Sequence, residues 1–65
     1  MKSNYQILIK REWRINAVDL RCTEYQARRV CDALAYASVE QDVFAVELWL
    51  NGKNFSSKVA TWRMR

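Results

Sequence analysis

The chain has 65 residues, 51% hydrophobic and 28% charged, with a net charge of +4, a single glycine, no proline and no histidine. This profile describes one globular domain and excludes a disordered chain or several domains joined by linkers. A domain of this length buries only about 60% of the surface its unfolded chain exposes, so its stability is marginal unless something staples it.

The N-terminal third reads as β-structure. Tyr5, Ile7, Ile9, Trp13 and Ile15 share one parity, interrupted by Arg11. The pattern predicts either one long strand over about 4–16 or a bend near Lys10 and Arg11 that divides it into two. Trp13 shares the parity of Ile7 and Ile9 and is expected in the core. The apolar stretch "YQILI" is far shorter than the core of a signal peptide, and no run approaches the roughly 20 apolar residues of a membrane span. A cytoplasmic protein without membrane contact is therefore expected.

A helix follows. Thr23 and Gln26 have the spacing of a capping box, in which each side chain satisfies the other residue's backbone amide. Along "EYQARRVCDALAYAS", Ala27, Val30, Cys31, Leu34 and Ser38 fall on one face, and their small size lets a helix sit close to a sheet. Tyr25, Arg29, Asp32 and Tyr36 form the opposite stripe, while Glu24–Arg28 and Arg28–Asp32 are favourable i,i+4 pairs. No glycine ends the helix, and a stop is expected near residue 39. The two cysteines, Cys22 and Cys31, have a spacing that fits no zinc pattern, and the chain has no histidine to complete a site. Two free thiols and no metal are expected.

The last third predicts a hairpin. "DVFAVELWL" and "NFSSKVATW" flank Asn51-Gly52, a pair suited to a type I′ turn because both central residues need positive φ. In that register Leu48 faces Phe55, Val46 faces Ser57 and Phe44 faces Val59. Phe44, Val46, Leu48, Phe55 and Val59 then share the core face. Val43, Ala45, Glu47, Trp49, Ser56, Lys58, Ala60 and Trp62 share the other. The whole chain, 1–65, is thus expected to be a single α+β domain in the order β(β)αββ: three or four mostly antiparallel strands with one helix packed on one face.

Charge is unevenly distributed. Residues 1–30 and 51–65 each carry a net +4, and residues 31–50 carry −4, so anionic surfaces are favoured near the ends. Catalysis is not expected. Histidine, the commonest general base, is missing, and one glycine cannot build a phosphate loop or a dinucleotide fingerprint. Asp42 and Glu47 are five residues apart, which places them on opposite faces of a strand. No cofactor is implied.

Binding surfaces remain. Were the first strand to pair with the last, Lys10 and Arg14 would share an exposed sheet face with Lys58, beside Trp49 and Trp62. Cations along a groove with flat aromatics are how single-stranded nucleic acids are held. Lys10, Arg11, Arg14, Lys58, Arg63 and Arg65 are the candidates for that role. No RNP, GxxG or zinc-finger pattern accompanies them. Glu47 falls in the same patch, diagonal to Lys58, where a cross-strand ion pair is the plainer reading. These charges could equally be a solvated face. Trp49 and Trp62, placed away from the helix with Lys58, form a candidate protein-binding patch, and Arg29 and Tyr36 extend the candidates onto the helix. The patch could also bury itself in a homodimer, sheet face on sheet face.

The opening strand "YQILIK", the helix "EYQARRVCDALAYA", the Asn-Gly hairpin and the terminal "TWRMR" together resemble small proteins of phages and other mobile elements, including anti-CRISPR inhibitors. The resemblance lies in element order and size and carries no residue roles. It implies a non-enzymatic binder that inhibits or modulates a larger host machine, often one that handles nucleic acid. Many such proteins are acidic mimics of nucleic acid, a role this basic chain does not suit. The sequence reading is therefore a binding protein with a protein partner, with a small DNA- or RNA-binding protein as the alternative and a self-assembling subunit third.

Overall fold

The computed structural model describes residues 1–37 and 42–64. The first apolar run folds as two strands, β1 (Ser3–Arg11) and β2 (Ile15–Cys22), the divided form of the two expected. They pair antiparallel from Ser3↔Cys22 to Lys10↔Ile15, and the Arg11 N–H donates to the Arg14 carbonyl (2.8 Å) to close the turn. The turn breaks the parity that places Trp13 in the core. Trp13 instead lies in the turn, 64% exposed, with its indole N–H donating to Asp42 (3.4 Å) and the Arg14 guanidinium over its ring.

The capping box forms as its spacing predicts. Gln26 N–H donates to Thr23 Oγ1 (3.2 Å), and Thr23 N–H donates to Gln26 Oε1 (3.1 Å). Helix α1 (Glu24–Ala37) follows, with Glu24 favourably placed in its first turn. Ala27 and Cys31 are wholly buried against the sheet and Leu34 and Ala35 partly so, while Val30, expected on that face, lies at its exposed flank. Ser38 and the expected stop near residue 39 lie outside the described residues.

Strands β3 (Val43–Asn51) and β4 (Ser56–Arg63) complete a four-stranded antiparallel sheet in the order β2-β1-β3-β4. β1 thus pairs with β3, and not with the last strand. Tyr5, Ile7, Val46 and Leu48 meet Ala27 and Cys31 beneath the helix. Ile7, Val46 and Leu48 are completely buried, each worth about 1.5–3 kcal/mol in removed apolar surface. The fold is the α+β arrangement read from the sequence.

The second hairpin departs from the predicted register. Its connection is the wider loop 52–55, in which the Gly52 N–H donates to the Phe55 carbonyl (2.8 Å), and Gly52 does not adopt positive φ. Ser56 Oγ donates to Asn51 Oδ1 (2.6 Å) across the loop's base. Leu48 pairs with Ala60 and Val46 with Trp62, in place of Phe55 and Ser57. Two irregularities then change the faces. The β3–β4 register shifts between Leu48 and Trp49, which leaves Val59 as an extra residue on β4. A second shift opposite Lys10 and Arg11 leaves Phe44 unpaired on β3. An extra residue in one strand inverts the side-chain alternation beyond it. Trp62 and Ala60 therefore turn toward the helix side, and Val43 joins the core. Phe44 and Phe55, both expected in the core, are 47% and 58% exposed.

Candidate functional site

One helix cannot cover both faces of a four-stranded sheet, so one face stays uncovered. The register assigns that face to Gln6, Leu8 and Lys10 from β1, and to Ala45, Glu47 and Trp49 from β3. Lys58, Thr61 and Arg63 come from β4, and Ile15, Ala17, Asp19 and Arg21 from β2.

Glu47 is its centre. The residue is 8% exposed although no second layer covers it. Its neighbours provide the cover. Trp49 Nε1 donates to Glu47 Oε1 (3.0 Å), Lys10 Nζ donates to Oε2 (3.4 Å) from one side, and Lys58 Nζ lies 3.7 Å from the same oxygen on the other. The Trp49 hydrogen bond, aided by both ammonium groups and opposed by desolvation, holds the Glu47 carboxyl below the ordinary carboxylate pKa. The cross-strand pair between Glu47 and Lys58 expected from the sequence is present. The reach of Lys10 into it follows from the β1–β3 pairing.

Beside Glu47 the face dips into a groove of about 310 Å³. Ala45 and Glu47 form its floor, Lys10 and Thr61 its sides, and Phe44, Arg63 and Met64 its outer end. The Met64 N–H donates to the Phe44 carbonyl (3.0 Å), tying the end of β4 to the start of β3. Thr61 and Met64 have no role in the sequence reading, which places Phe44 in the core. The parity change at the bulge brings Phe44 to the groove, and no residue type in "VFAVELWL" signals it.

The candidate residues do not form one surface. Trp49 and Lys58 share the uncovered face, as expected. Trp62 lies on the helix side of the sheet, where its Nε1 donates to Asp32 Oδ1 (2.6 Å), and not beside Trp49 as strand alternation predicts. This bond occupies the carboxylate expected to pair with Arg28; Arg28 pairs with Glu24 (2.8 Å). Arg29 and Tyr36 are exposed on the helix, on the opposite side of the sheet from Trp49, with Arg29 donating to the Tyr25 hydroxyl (3.1 Å). Of the nucleic-acid candidates, Lys10, Lys58 and Arg63 share the uncovered face. Arg14 lies over the Trp13 ring in the turn, and Arg11 donates to Asn16 (3.1 Å). Arg65 lies outside the described residues.

Both cysteines are free thiols. Burial, reinforced by Asp32, pushes the Cys31 thiol up to about 11. Among the described residues no three His, Cys, Asp or Glu side chains converge on a metal-sized site, and no helix is long and apolar enough to cross a membrane. Comparison with protein-family models, curated proteins and solved structures found no match to this chain.

Proposed function

We propose that this protein is a non-enzymatic binding protein that docks a larger protein partner through the uncovered sheet face, centred on Trp49 and the groove beside Glu47. The observation that carries this reading is the capture of Lys10 and Lys58 by Glu47. A polyphosphate chain needs cations to spare, and a central carboxylate repels it. Here Lys10 and Lys58, two of the four cations the register assigns to the uncovered face, already serve that carboxylate, and Arg21 lies apart on the edge strand β2. What remains is an indole, a groove ending in Phe44 and Met64, and Arg63 at its rim. Aromatic, methionine and arginine side chains around a shallow depression match the composition of protein–protein hot spots. The net basic charge suits a partner with an acidic rim. Resemblance to small mobile-element inhibitors supports a specific form of this reading, in which the partner is a host machine and docking inhibits it.

The test is affinity capture from nuclease-treated extract of the source cells, with wild-type protein and the Trp49→Ala and Arg63→Glu variants as baits. The reading predicts a protein retained by wild type after nuclease and lost with both variants, each of which keeps a folded circular-dichroism spectrum. Retention that vanishes on nuclease treatment would make nucleic acid the ligand. A partner held equally by the variants would place the docking site elsewhere.

A further inference from the structure

The two edges of the sheet differ. β4 is interrupted by the extra residue Val59 and carries Lys58, and its end is tied back to Phe44. Bulges and lysines are common devices for keeping an edge from pairing with another chain. β2 has none of them. Its eight residues "INAVDLRC" pair with β1 without a register shift and contain neither proline nor lysine. Among the described residues no turn, loop or cap backbone hydrogen bond involves β2. Its outward N–H and C=O groups form a row of the kind that accepts a further strand.

The side chains of β2 point to the occupant. A twofold axis perpendicular to the sheet sets β2 antiparallel to its own copy and keeps helix side with helix side. Face matching then requires a residue to stand on the axis. With Asp19 on the axis, two like carboxylates oppose each other. With Val18 on the axis, Asp19 faces Ala17 and Arg21 faces Ile15, so neither charge meets an opposite one, and Asp19 keeps only the Gln6 amide of its own chain (3.2 Å). With Leu20 on the axis, Asp19 of each copy faces Arg21 of the other, twice by symmetry. Val18 then meets Cys22 and Leu20 meets Leu20 on the helix side. Asp19 and Arg21 are both exposed, and Val18 is 37% exposed in the single chain.

We propose that β2 pairs with β2 of a second copy of this chain about an axis through Leu20. This joins two four-stranded sheets into one of eight and sets two copies of the Trp49 face side by side. The pairing does not depend on what that face binds. A partner with repeated sites would gain avidity from the doubled surface. The contact is a short strand pair, so the dimer is a weak one that forms with rising concentration.

Sedimentation equilibrium over a wide concentration range tests this with a charge reversal. Wild type is expected to self-associate. Asp19→Arg sets like charges opposite each other at two symmetric places and is expected to raise the dimer Kd about tenfold or more, as is Arg21→Asp. The double variant Asp19→Arg/Arg21→Asp restores opposite charges and is expected to return to near the wild-type value. Circular dichroism of each variant checks that the fold is kept. A wild type that stays monomeric throughout overturns the proposal. So does association insensitive to either single reversal, and so does a double variant as weak as the singles.

Discussion

Replacing Glu47 by glutamine keeps the side chain's shape and removes its charge. In the folded protein the carboxylate accepts from Trp49 at 3.0 Å and lies within 3.4 and 3.7 Å of Lys10 and Lys58. A hydrogen bond to a charged group is worth about 1.5–3 kcal/mol against about 0.5–1.5 for a neutral one, so the Trp49 bond loses roughly 1 kcal/mol. The Lys10 and Lys58 side chains are 30% and 46% exposed, which keeps these ion pairs at the weak end of the range. Each adds a few tenths of a kcal/mol. The expected loss is about 1–2 kcal/mol at neutral pH, a fall in Tm on the order of 7–15 °C for a domain this small. Because folding lowers the Glu47 pKa from its ordinary 4.5, its contribution is complete above that value and disappears as pH falls through the folded one. Thermal unfolding of both proteins at neutral pH and near the folded pKa isolates Glu47, since every other carboxylate is common to the two. The gap should be present at neutral pH and shrink steadily below pH 4.5. A gap that persists undiminished in acid would show that the Glu47→Gln change disrupts packing, and no gap at neutral pH would show that the cluster contributes nothing.

Two further outcomes concern the helix side of the sheet. Leu48 is wholly buried in the central strand, so Leu48→Ala should cost about 2–5 kcal/mol, measured by urea denaturation. For 65 residues, total stability is on the order of 3–10 kcal/mol, so this one change removes a large share of it. Ellman's reagent at about pH 8 should titrate one thiol quickly in the native protein and two in denaturant. Cys22 is half-buried, whereas Cys31 is wholly buried and its thiol raised to about 11. Two equally fast native thiols would contradict the packing of α1 on the sheet.

The parts of the fold legible in the sequence are those fixed by local chemistry. The Thr23–Gln26 box starts α1 because both partners lie within one turn, and Ala27 and Cys31 reach the sheet because their spacing is helical. Strand existence and element order are legible from alternation. Face assignment is not: Trp13 is lost to a turn and Phe55 to a loop, and a single extra residue shifts the ladder at Phe44 and again at Val59. The 12–14 turn takes Trp13 out of the strand without a glycine, asparagine or proline to mark it. The extra residues Phe44 and Val59 are ordinary strand formers, so nothing in their chemistry announces a bulge. At Asn51-Gly52 local turn preference loses to tertiary packing. The wider loop shifts the register by an even number of residues and keeps the faces, whereas the bulge at Val59 turns Trp62 to the helix side, where it packs against the core and finds Asp32. Half of the candidate site follows from the sequence. Counting along β3 and β4 brings Glu47, Trp49 and Lys58 together, but the contribution of Lys10 depends on β1 lying beside β3, which no local pattern encodes.

The three tryptophans stand on three different surfaces: Trp13 in the first turn, Trp49 on the uncovered face and Trp62 beneath the helix. Their indole N–H resonances therefore report which surface a partner covers. Isotope-labelled protein is titrated with the captured partner and followed by nuclear magnetic resonance. Docking through the uncovered face shifts the Trp49 indole together with the Lys10, Glu47 and Arg63 amides, while the Trp62 indole and the amides of Tyr25, Arg29 and Tyr36 stay in place. Shifts centred on Tyr25, Arg29 and Tyr36, with the Trp49 indole unmoved, would contradict it and make the helix the docking surface.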